Sequence, residues 1–380
     1  MKVFRFPLLA LALAAGACAT DLGSSNDGSM SMTAAKPGKS AKFDAKNEFK
    51  LVVPEGAQSV RIWFAAPQDD EWTTISNWAL SGTVGVNQRP VVDDHGNRMI
   101  YAELAGTHPV TEIAISEAFT LERQEIVGNV DPSKARPLSA SEAAKFAREL
   151  GENTWIKITP EIRKIAAEVV GTETNPVIAA RKLYDWTLDN IEYWVKTPAT
   201  RKASATGSSE HCLTTKTGNC TDFHSLWAAL ARASGIPTRI VYGSIFKPAL
   251  DGQDKDGSYH CWPEFYASGL GWVSHDVAVA DIFRGTYELN ADNEEKVRLT
   301  IATPYAGPDE KMVDYYFGNI DERRVVWSIG RDLTLDPPAA AGKVNGMFKA
   351  YVEIDGKPYG EKSADGKVQW TRKFSYREVK

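Results

Sequence analysis

Residues 218–235 read GNCTDFHSLWAALARASG. From Thr221 to Ala233 apolar side chains recur at helical spacing, and Ser234-Gly235 follows as a helix stop; the apolar positions are Phe223, Leu226, Trp227 and Leu230. Cys220 stands directly before this predicted helix, where the helix dipole and unpaired backbone N–H groups favour a thiolate. We therefore expect the thiol pKa of Cys220 to fall below its ordinary value of about 8.5. The stretch predicts a nucleophilic cysteine whose neighbouring N–H groups suit an oxyanion.

Two predicted strands downstream supply partners for this thiolate. They are Tyr259–Ala267, which carries His260, and 271–276, which ends at Asp276. A three-residue turn makes Ala267 face Gly271, Trp262 face Asp276 and His260 face Ala278. His260 and Asp276 are then diagonal neighbours, about 7–8 Å apart at the backbone. An imidazole held there suits general acid–base catalysis, and a carboxylate beside it fixes its tautomer.

The assignment of the carboxylate depends on the length of that turn. A turn one residue longer or shorter reverses the parity of the second strand and separates Asp276 from His260. Asp281 is then the alternative carboxylate. We also name Asn219, next to the cysteine, as a candidate second oxyanion donor.

The order of these motifs resembles the bacterial transglutaminase-like superfamily. The similar segments are GNCTDFHSL (218–226), ARASGIPTR (231–239), HCWPEFY (260–266), GWVSHD (271–276), YFGNID (316–321) and GRDL (330–333). The resemblance covers about residues 175 to 335 and implies an α+β fold, in which a papain-like core packs the cysteine helix on an antiparallel sheet. It implies Cys220 as nucleophile, His260 as base and Asp276 as orienting carboxylate. The implied chemistry is acyl transfer, or amide or peptide hydrolysis, through a thioester on a protein or peptide substrate.

The first 18 residues predict export. Lys2 and Arg5 precede an apolar run that is too short to span a membrane. Ala-Gly-Ala before Cys18 resembles the lipobox of bacterial lipoproteins, which implies that Cys18 is lipidated; ordinary cleavage after Ala17 or Ala19 is the alternative. We expect an exported protein, periplasmic or at the cell surface, that meets the membrane only through a lipid anchor.

Composition along the chain divides it into four further parts. Residues 19–45 are polar and without apolar periodicity, which predicts a flexible tether. Residues 46–126 show short alternating runs between Gly, Pro and Asp clusters, which predict a small β-sandwich. Residues 127–335 are the predicted helical lead-in and catalytic core, and strands in 336–380 are expected to complete that core.

Overall charge and composition narrow the partners. The net charge of -5 argues against nucleic acid, which requires a basic face. We expect no cofactor and no metal: an acidic calcium loop is missing from the sequence. A zinc site built from Cys212, Cys220, His224 and His260 would match no usual ligand spacing.

Three residues near the predicted site keep alternative interpretations. His224 lies four residues after Cys220, on nearly the same helix face, and is either a packing residue or a contact of the site. Cys212 and Cys261 either form a disulfide in an oxidising compartment or stay as buried thiols. Strand alternation points Cys261 away from the face of His260, so such a disulfide would lie behind the site.

A non-enzymatic function is the second hypothesis. In it, a tethered envelope module binds a protein or a cell-wall peptide. The presence of all three residues of a Cys–His–Asp set favours the enzyme, because binding alone requires none of them.

Overall fold

A computed structural model describes residues 35–106, 108–253 and 257–380. The predicted export signal, the candidate lipidation residue Cys18 and the first part of the predicted tether lie outside these residues. Within them, no helix is long and apolar enough to cross a membrane.

The described residues form strands in three sheets and a two-stranded bridge. The strands are β1 (Ala35–Val52), β2 (Ser59–Ala65), β3 (Thr73–Gly82), β4 (Asn87–Val92), β5 (Arg98–Ala105), β6 (Glu112–Gly128), β7 (Glu192–Tyr193), β8 (Thr217–Gly218), β9 (Thr238–Ile245), β10 (Tyr259–Ala267), β11 (Gly271–Ser274), β12 (Asn319–Ile320), β13 (Arg324–Ile329), β14 (Ala350–Ile354), β15 (Lys357–Pro358) and β16 (Trp370–Val379). The helices are α1 (Ala140–Lys145), α2 (Ala147–Leu150), α3 (Pro160–Val170), α4 (Pro176–Asn190), α5 (Ser209–Thr215), α6 (Cys220–Ala233), α7 (Val277–Phe283), α8 (Glu294–Arg298) and α9 (Glu310–Tyr315).

Two antiparallel sheets of five strands form a β-sandwich. One sheet has the order β12-β6-β1-β16 with β3 also on β6, and the other has the order β15-β14-β2-β5-β4. Apolar side chains of both sheets share one core between them, among them Phe49, Ile62 and Ile115. Period-2 alternation places these residues on the inner faces, as the sequence predicts for a sandwich.

The C-terminal strands belong to this sandwich, so the expectation that 336–380 completes the catalytic core is wrong. Strand β14 pairs with β2, and β16 pairs with β1 along ten residues from Lys42↔Val379 to Leu51↔Trp370. On β16 the buried residues alternate, with Trp370, Phe374 and Tyr376 on the inner face. Alternation identifies a strand but not the sheet that it joins, which is why sequence alone assigned these strands to the nearer domain.

Residues 35–45 are also strand, which corrects the boundary of the predicted tether at Ala45. They form the first part of β1 and pair with β6. Phe43 is fully buried and stacks on Phe246, with ring centroids 3.9 Å apart. Only Phe43 and Ala45 are buried in this segment, and residues 35–42 are exposed or half-buried, so two apolar side chains among polar residues mark its entry into the sandwich.

The second part of the molecule packs helices on an antiparallel sheet of order β11-β10-β9-β13. Helix α6 lies in the centre, with Phe223, Leu226 and Trp227 fully buried in a core shared with this sheet. The predicted turn is confirmed, because Ala267 faces Gly271. The pairing expected further along is wrong: β11 ends at Ser274, and the following residues turn into α7 instead of facing Trp262 and His260.

Candidate active site

Cys220 is the first residue of α6, and the residues before it fix where the helix begins. Asn219 is the N-cap: its Oδ1 accepts the backbone N–H of Asp222 (3.1 Å), and the Asp222 carboxylate accepts the N–H of Asn219 (3.0 Å). This reciprocal capping box satisfies two of the unpaired donors of the helix. At Gly218, a Cβ atom would lie 2.3 Å from Cβ of Asp222, so glycine allows the close approach. Cys220 is thereby held at the helix N-terminus, 4% exposed.

His260 meets Asp276 in a buried hydrogen bond. His260 lies near the start of β10, and its Nε2 is 2.7 Å from Oδ2 of Asp276. Asp276 caps α7, because its Oδ1 accepts the N–H of Val279 (3.1 Å). Asp276 therefore caps a helix and does not pair in a strand as predicted, but its side chain still reaches the imidazole of His260.

Arg324 is a member of the site that the sequence analysis missed. Its Nη1 donates to Oδ2 of Asp276 (2.7 Å), and its Nε and Nη2 donate to Asp321 (2.9 and 2.8 Å). Both Arg324 and Asp276 have fully buried side chains. A charged side chain is buried only with a partner. An arginine at the start of a strongly apolar strand was therefore the sequence feature that could have indicated this ion pair.

The charges of the site favour a thiolate–imidazolium pair. The pKa of the Cys220 thiol lies well below its ordinary range, first because the Cys261 thiol donates a hydrogen bond and then because His260 adds positive charge, against the effect of burial. Burial lowers the pKa of His260, but the Asp276 carboxylate and the Cys220 thiolate outweigh it and raise the pKa to about 9. For Asp276, burial raises the pKa, yet His260 and Arg324 hold it well below its usual range. The three shifts together favour a thiolate, an imidazolium and a carboxylate.

Tyr193 is the second group that the sequence analysis missed. The backbone N–H of Cys220 donates to its hydroxyl (3.1 Å), although the residues are 27 positions apart. The parallel bridge of β7 with β8 sets Tyr193 beside Gly218, two residues before the cysteine. No local pattern marks such a residue, because only the fold brings it to the helix N-terminus.

Asp281, the alternative carboxylate, holds Tyr193. Its Oδ2 accepts the backbone N–H of Tyr193 (2.9 Å) and lies 2.9 Å from Nζ of Lys196. The structure thus brings Asp276 to His260 and places Asp281 behind Tyr193.

Asn219 is engaged at both ends of its side chain. Its oxygen caps α6, and its amide nitrogen donates to the Ser204 carbonyl at 3.5 Å. This geometry gives Asn219 a role in starting the helix and does not turn its amide toward the Cys220 sulfur. The oxyanion role expected of Asn219 is therefore replaced by that of a cap.

The remaining cysteines are free, and one of them lies in the site. Cys212, Cys220 and Cys261 are all buried and unbridged. The expectation that Cys261 points away from the site is wrong, because its Sγ lies 3.5 Å from Thr221 Oγ1 and 3.3 Å from Nδ1 of His224. Helix α6 packs on the strand face that carries Cys261, whereas Trp262 belongs to the core on the opposite face. The predicted alternation of Cys261 and His260 on opposite faces of the strand is correct. The prediction was wrong about which of these faces the helix covers.

His224 is a contact of the site rather than only a packing residue. Its ring is fully buried, with Nε2 3.4 Å from Oδ1 of Asp276. Asp276 therefore has an imidazole near each carboxylate oxygen, His260 at Oδ2 and His224 at Oδ1.

A protein-family model matches the part of the chain that holds these residues. Residues 163–277 match the family model of the Transglutaminase-like superfamily, a range that includes Cys220, His260 and Asp276. The chain therefore contains a transglutaminase-like domain.

Three similar proteins extend the comparison. An uncharacterised protein of Haemophilus influenzae is 24% identical over 337 residues, which are 83% of this chain and 86% of that protein. A protein-glutamine gamma-glutamyltransferase of Pseudomonas aeruginosa is 26% identical over 180 residues, 44% of this chain and 24% of that protein. The crystal structure of a candidate cysteine protease from Cytophaga hutchinsonii aligns with a TM-score of 0.51 at 17% identity, covering 90% of this chain and 100% of that one. The predicted fold class, α+β with a papain-like transglutaminase core, is confirmed.

Proposed function

We propose that this chain, which contains a transglutaminase-like domain, catalyses acyl transfer or amide hydrolysis through a thioester on Cys220. The observation that carries the proposal is the buried His260–Asp276 hydrogen bond, with Nε2 and Oδ2 2.7 Å apart, together with the positive charge of His260 that lowers the pKa of Cys220. A binding protein gains nothing from such an arrangement, since burying three charged groups is costly unless they work together.

Acylation begins with attack of the Cys220 thiolate on an amide carbonyl. A tetrahedral oxyanion forms, the C–N bond breaks, and the His260 imidazolium donates its proton to the departing amine or ammonia. The product is a thioester and a neutral His260. Asp276 keeps the imidazole in orientation and stabilises its protonated form, as the third group of such a triad does.

Deacylation reverses the role of His260. Water or an amine attacks the thioester while the neutral imidazole takes its proton, and the Cys220 thiolate leaves. Attack by water makes the protein a peptidase or amidase, and attack by a lysine amine makes it a crosslinking enzyme. Both reactions use the same three residues.

The Tyr193 hydroxyl is the oxyanion donor that the geometry supports. The Cys220 N–H already donates to this hydroxyl, which leaves the phenolic hydrogen free to donate beside the sulfur. Burial raises the pKa of Tyr193 well above 10, so the hydroxyl stays a donor throughout the working pH range. A fixed donor at the site of developing charge is typically worth about 10²–10³ in rate.

We favour hydrolysis of a peptide or protein in the cell envelope. The compartment follows from the N-terminal sequence, which carries an export signal pattern and Cys18 in a lipobox-like context. Lipidation of Cys18 would hold the enzyme at a membrane. The acyl donor follows by analogy from the names of similar proteins, a glutamine gamma-glutamyltransferase and a candidate cysteine protease.

The decisive test measures the reactivity of Cys220 and then its acylation. Iodoacetamide alkylation of Cys220 is followed against pH in the wild type and in His260→Ala. A rate midpoint well below about 8.5, the ordinary thiol value, that rises in the variant supports the Cys–His pair. Glutamine-containing peptides are then supplied with and without an amine acceptor, and ammonia release and peptide masses are recorded.

The opposite outcome favours the binding module. A midpoint at the ordinary thiol value, unchanged in His260→Ala, removes the basis for catalysis and leaves a tethered module that binds a protein or cell-wall peptide. A shifted midpoint without any acylation would instead keep the reactive pair and reject only the tested donors.

A further inference from the structure

Cys261 is a buried thiol that the proposed acyl transfer does not use as a nucleophile. It is fully buried, and its thiol lowers the pKa of Cys220. Both sulfur atoms also contact the hydroxyl of Thr221, at 3.9 Å from Cys220 and 3.5 Å from Cys261. One hydroxyl thus lies against both sulfur atoms, which places Cys261 on the same side of Thr221 as a neighbour of the catalytic candidate.

His224 gives this second thiol a proton acceptor. Its Nδ1 lies 3.3 Å from Sγ of Cys261, and its Nε2 lies 3.4 Å from Oδ1 of Asp276. Burial lowers the pKa of His224, so the ring is neutral and its Nδ1 can accept the hydrogen of the thiol; burial and the nearby Cys220 thiolate raise the pKa of Cys261, and the second of these effects ends once Cys220 is oxidised. The Asp276 carboxylate would stabilise the imidazolium that results.

These contacts repeat the arrangement around Cys220. Each cysteine faces one histidine, and both histidines face Asp276. The second set lies one step deeper, since Cys261 is wholly enclosed and Cys220 lies at the helix N-terminus. A small reagent that enters the site therefore reacts first with the sulfur of Cys220, and the sulfur of Cys261 lies deeper.

We propose that Cys220 and Cys261 form a reversible disulfide site, in which Cys261 captures Cys220 after a peroxide has oxidised it. The inference goes beyond acyl transfer and does not require that any acyl donor be known. It requires only a reactive Cys220, a peroxide as oxidant and a dithiol as reductant.

The first step oxidises Cys220. Its thiolate attacks one oxygen of hydrogen peroxide, an S–O bond forms and the O–O bond breaks. The departing hydroxide takes the proton of the His260 imidazolium and leaves as water, so Cys220 becomes a sulfenic acid.

The second step closes the disulfide. Cys261 gives its proton to Nδ1 of His224, and its thiolate attacks the Cys220 sulfur. The S–S bond forms, the S–O bond breaks, and the hydroxide leaves as water with the proton from His224. In total, two thiols lose two electrons and one peroxide becomes two waters. Without the second thiol, further peroxide converts the sulfenic acid irreversibly to sulfinic acid.

The test treats the full-length chain with equimolar hydrogen peroxide and maps its peptides without reduction. We expect a crosslinked peptide pair that contains Cys220 and Cys261, and a loss of two hydrogens from the intact mass. Dithiothreitol should then restore alkylation of Cys220 by iodoacetamide.

Matched variants separate the second thiol from a general effect of buried cysteines. With a second equivalent of peroxide, which the step from sulfenic to sulfinic acid consumes, Cys261→Ser should form no crosslink, accumulate Cys220 sulfinic acid and lose recovery by dithiothreitol. Cys212→Ala removes the buried cysteine outside the site and should behave as the wild type. His224→Gln should slow formation of the crosslink more than it slows the first oxidation, when each step is compared with the wild type.

Sulfenic or sulfinic acid at Cys220 in the wild type with no crosslink would overturn the inference, and so would a crosslink to Cys212. The wild-type peptide map decides this even if a variant folds poorly. It also distinguishes the disulfide from the proposed function, because a crosslink without any acyl transfer would leave the former standing and reject the latter.

Discussion

Arg324 and Asp276 form an ion pair that is fully enclosed, with Nη1 of the guanidinium 2.7 Å from Oδ2 of the carboxylate. The same guanidinium binds Asp321 through Nε and Nη2. Oδ2 of Asp276 is also the atom that meets His260. Arg324 therefore keeps Asp276 ionised and fixes the position of the carboxylate oxygen that orients His260. The planar guanidinium of an arginine can hold two carboxylates at once.

Replacing Arg324 should damage stability as well as the site. In Arg324→Met the two carboxylates stay buried without their cation, and we expect the free energy of unfolding to fall by about 3–5 kcal/mol. Urea unfolding followed by tryptophan fluorescence measures this loss. Arg298→Met is the matched control, because Arg298 pairs with Glu294 at a half-exposed position and should cost at most about 0.5 kcal/mol. Equal losses in both variants would contradict a special role for the enclosed pair.

The pH dependence of acylation should report the pKa of His260. Burial lowers that pKa, but Asp276 and Cys220 raise it to about 9, and acylation needs the protonated ring to release the amine. The rate should therefore fall as the pH rises through about 9. In Asp276→Asn the raising charge is lost, and this descending limb should move to lower pH. Acylation by an amide donor across pH measures the limb.

The control for that profile is Asp314→Asn, which removes an exposed carboxylate that pairs with Arg181. Its descending limb should stay where it is in the wild type. The same raised pKa also affects the free energy of unfolding. The pKa of His260 in the folded protein exceeds its unfolded value of about 6.5, so the stabilisation from His260 is complete below about pH 6.5 and is lost as the pH rises through about 9. An unchanged limb in Asp276→Asn would mean that Asp276 does not act on His260.

Removing the Tyr193 hydroxyl should separate acylation from simple alkylation. Tyr193→Phe loses the proposed oxyanion donor, so acylation should slow by about 10²-fold or more. Iodoacetamide alkylation forms no oxyanion, and above the thiol pKa its rate should stay near that of the wild type. Tyr242→Phe is the matched control, because the Tyr242 hydroxyl is buried without a hydrogen-bond partner among the described residues. Loss of both reactions in Tyr193→Phe would indicate a structural role instead.

Local patterns predicted the parts of the site that local structure controls. The apolar spacing after Cys220 and the glycine at its end define α6, and the confirmed pairing of Ala267 with Gly271 follows from the length of the turn. Both features depend on neighbours in sequence, so a single sequence contains the information for them.

The remaining features depend on contacts between distant segments. Asp276 precedes Val277-Ala278-Val279, an apolar run that suits a strand or a helix. The side chain of Asp276 favours the helix because it caps the helix N-terminus. Tyr193 reaches Cys220 through a bridge of only two residues, too short to leave a pattern. Cys261 was misplaced because alternation fixes opposite faces of a strand and does not say which face a helix will cover.

The cap at Asn219 can be tested apart from any catalytic role. Asn219→Ala should lower the free energy of unfolding by about 1 kcal/mol, because the Asp222 N–H loses its acceptor. Asn219→Ser restores a capping oxygen without restoring an amide, so it should recover stability and acylation together. Unfolding curves and acylation rates of the two variants give the comparison. Acylation that stays low in a stable Asn219→Ser protein would return the oxyanion role to the amide of Asn219.

The C-terminal strand should prove essential for the whole molecule, since Phe374 joins the two parts of the fold. Phe374 is fully buried on β16 and contacts Trp327 of β13 edge to face, with ring centroids 5.0 Å apart. Strand β16 belongs to the sandwich, and β13 belongs to the four-stranded sheet β11-β10-β9-β13, which carries His260. Phe374→Ala leaves a cavity between them, and we expect it to cost about 3–5 kcal/mol in urea unfolding.

Val379→Ala, at the exposed end of the same strand, should cost far less, because Val379 is 39% exposed. If Phe374→Ala unfolds the sandwich but leaves the pH profile of Cys220 alkylation intact, the two parts are independent. A joint loss would show that the sandwich supports the four-stranded sheet.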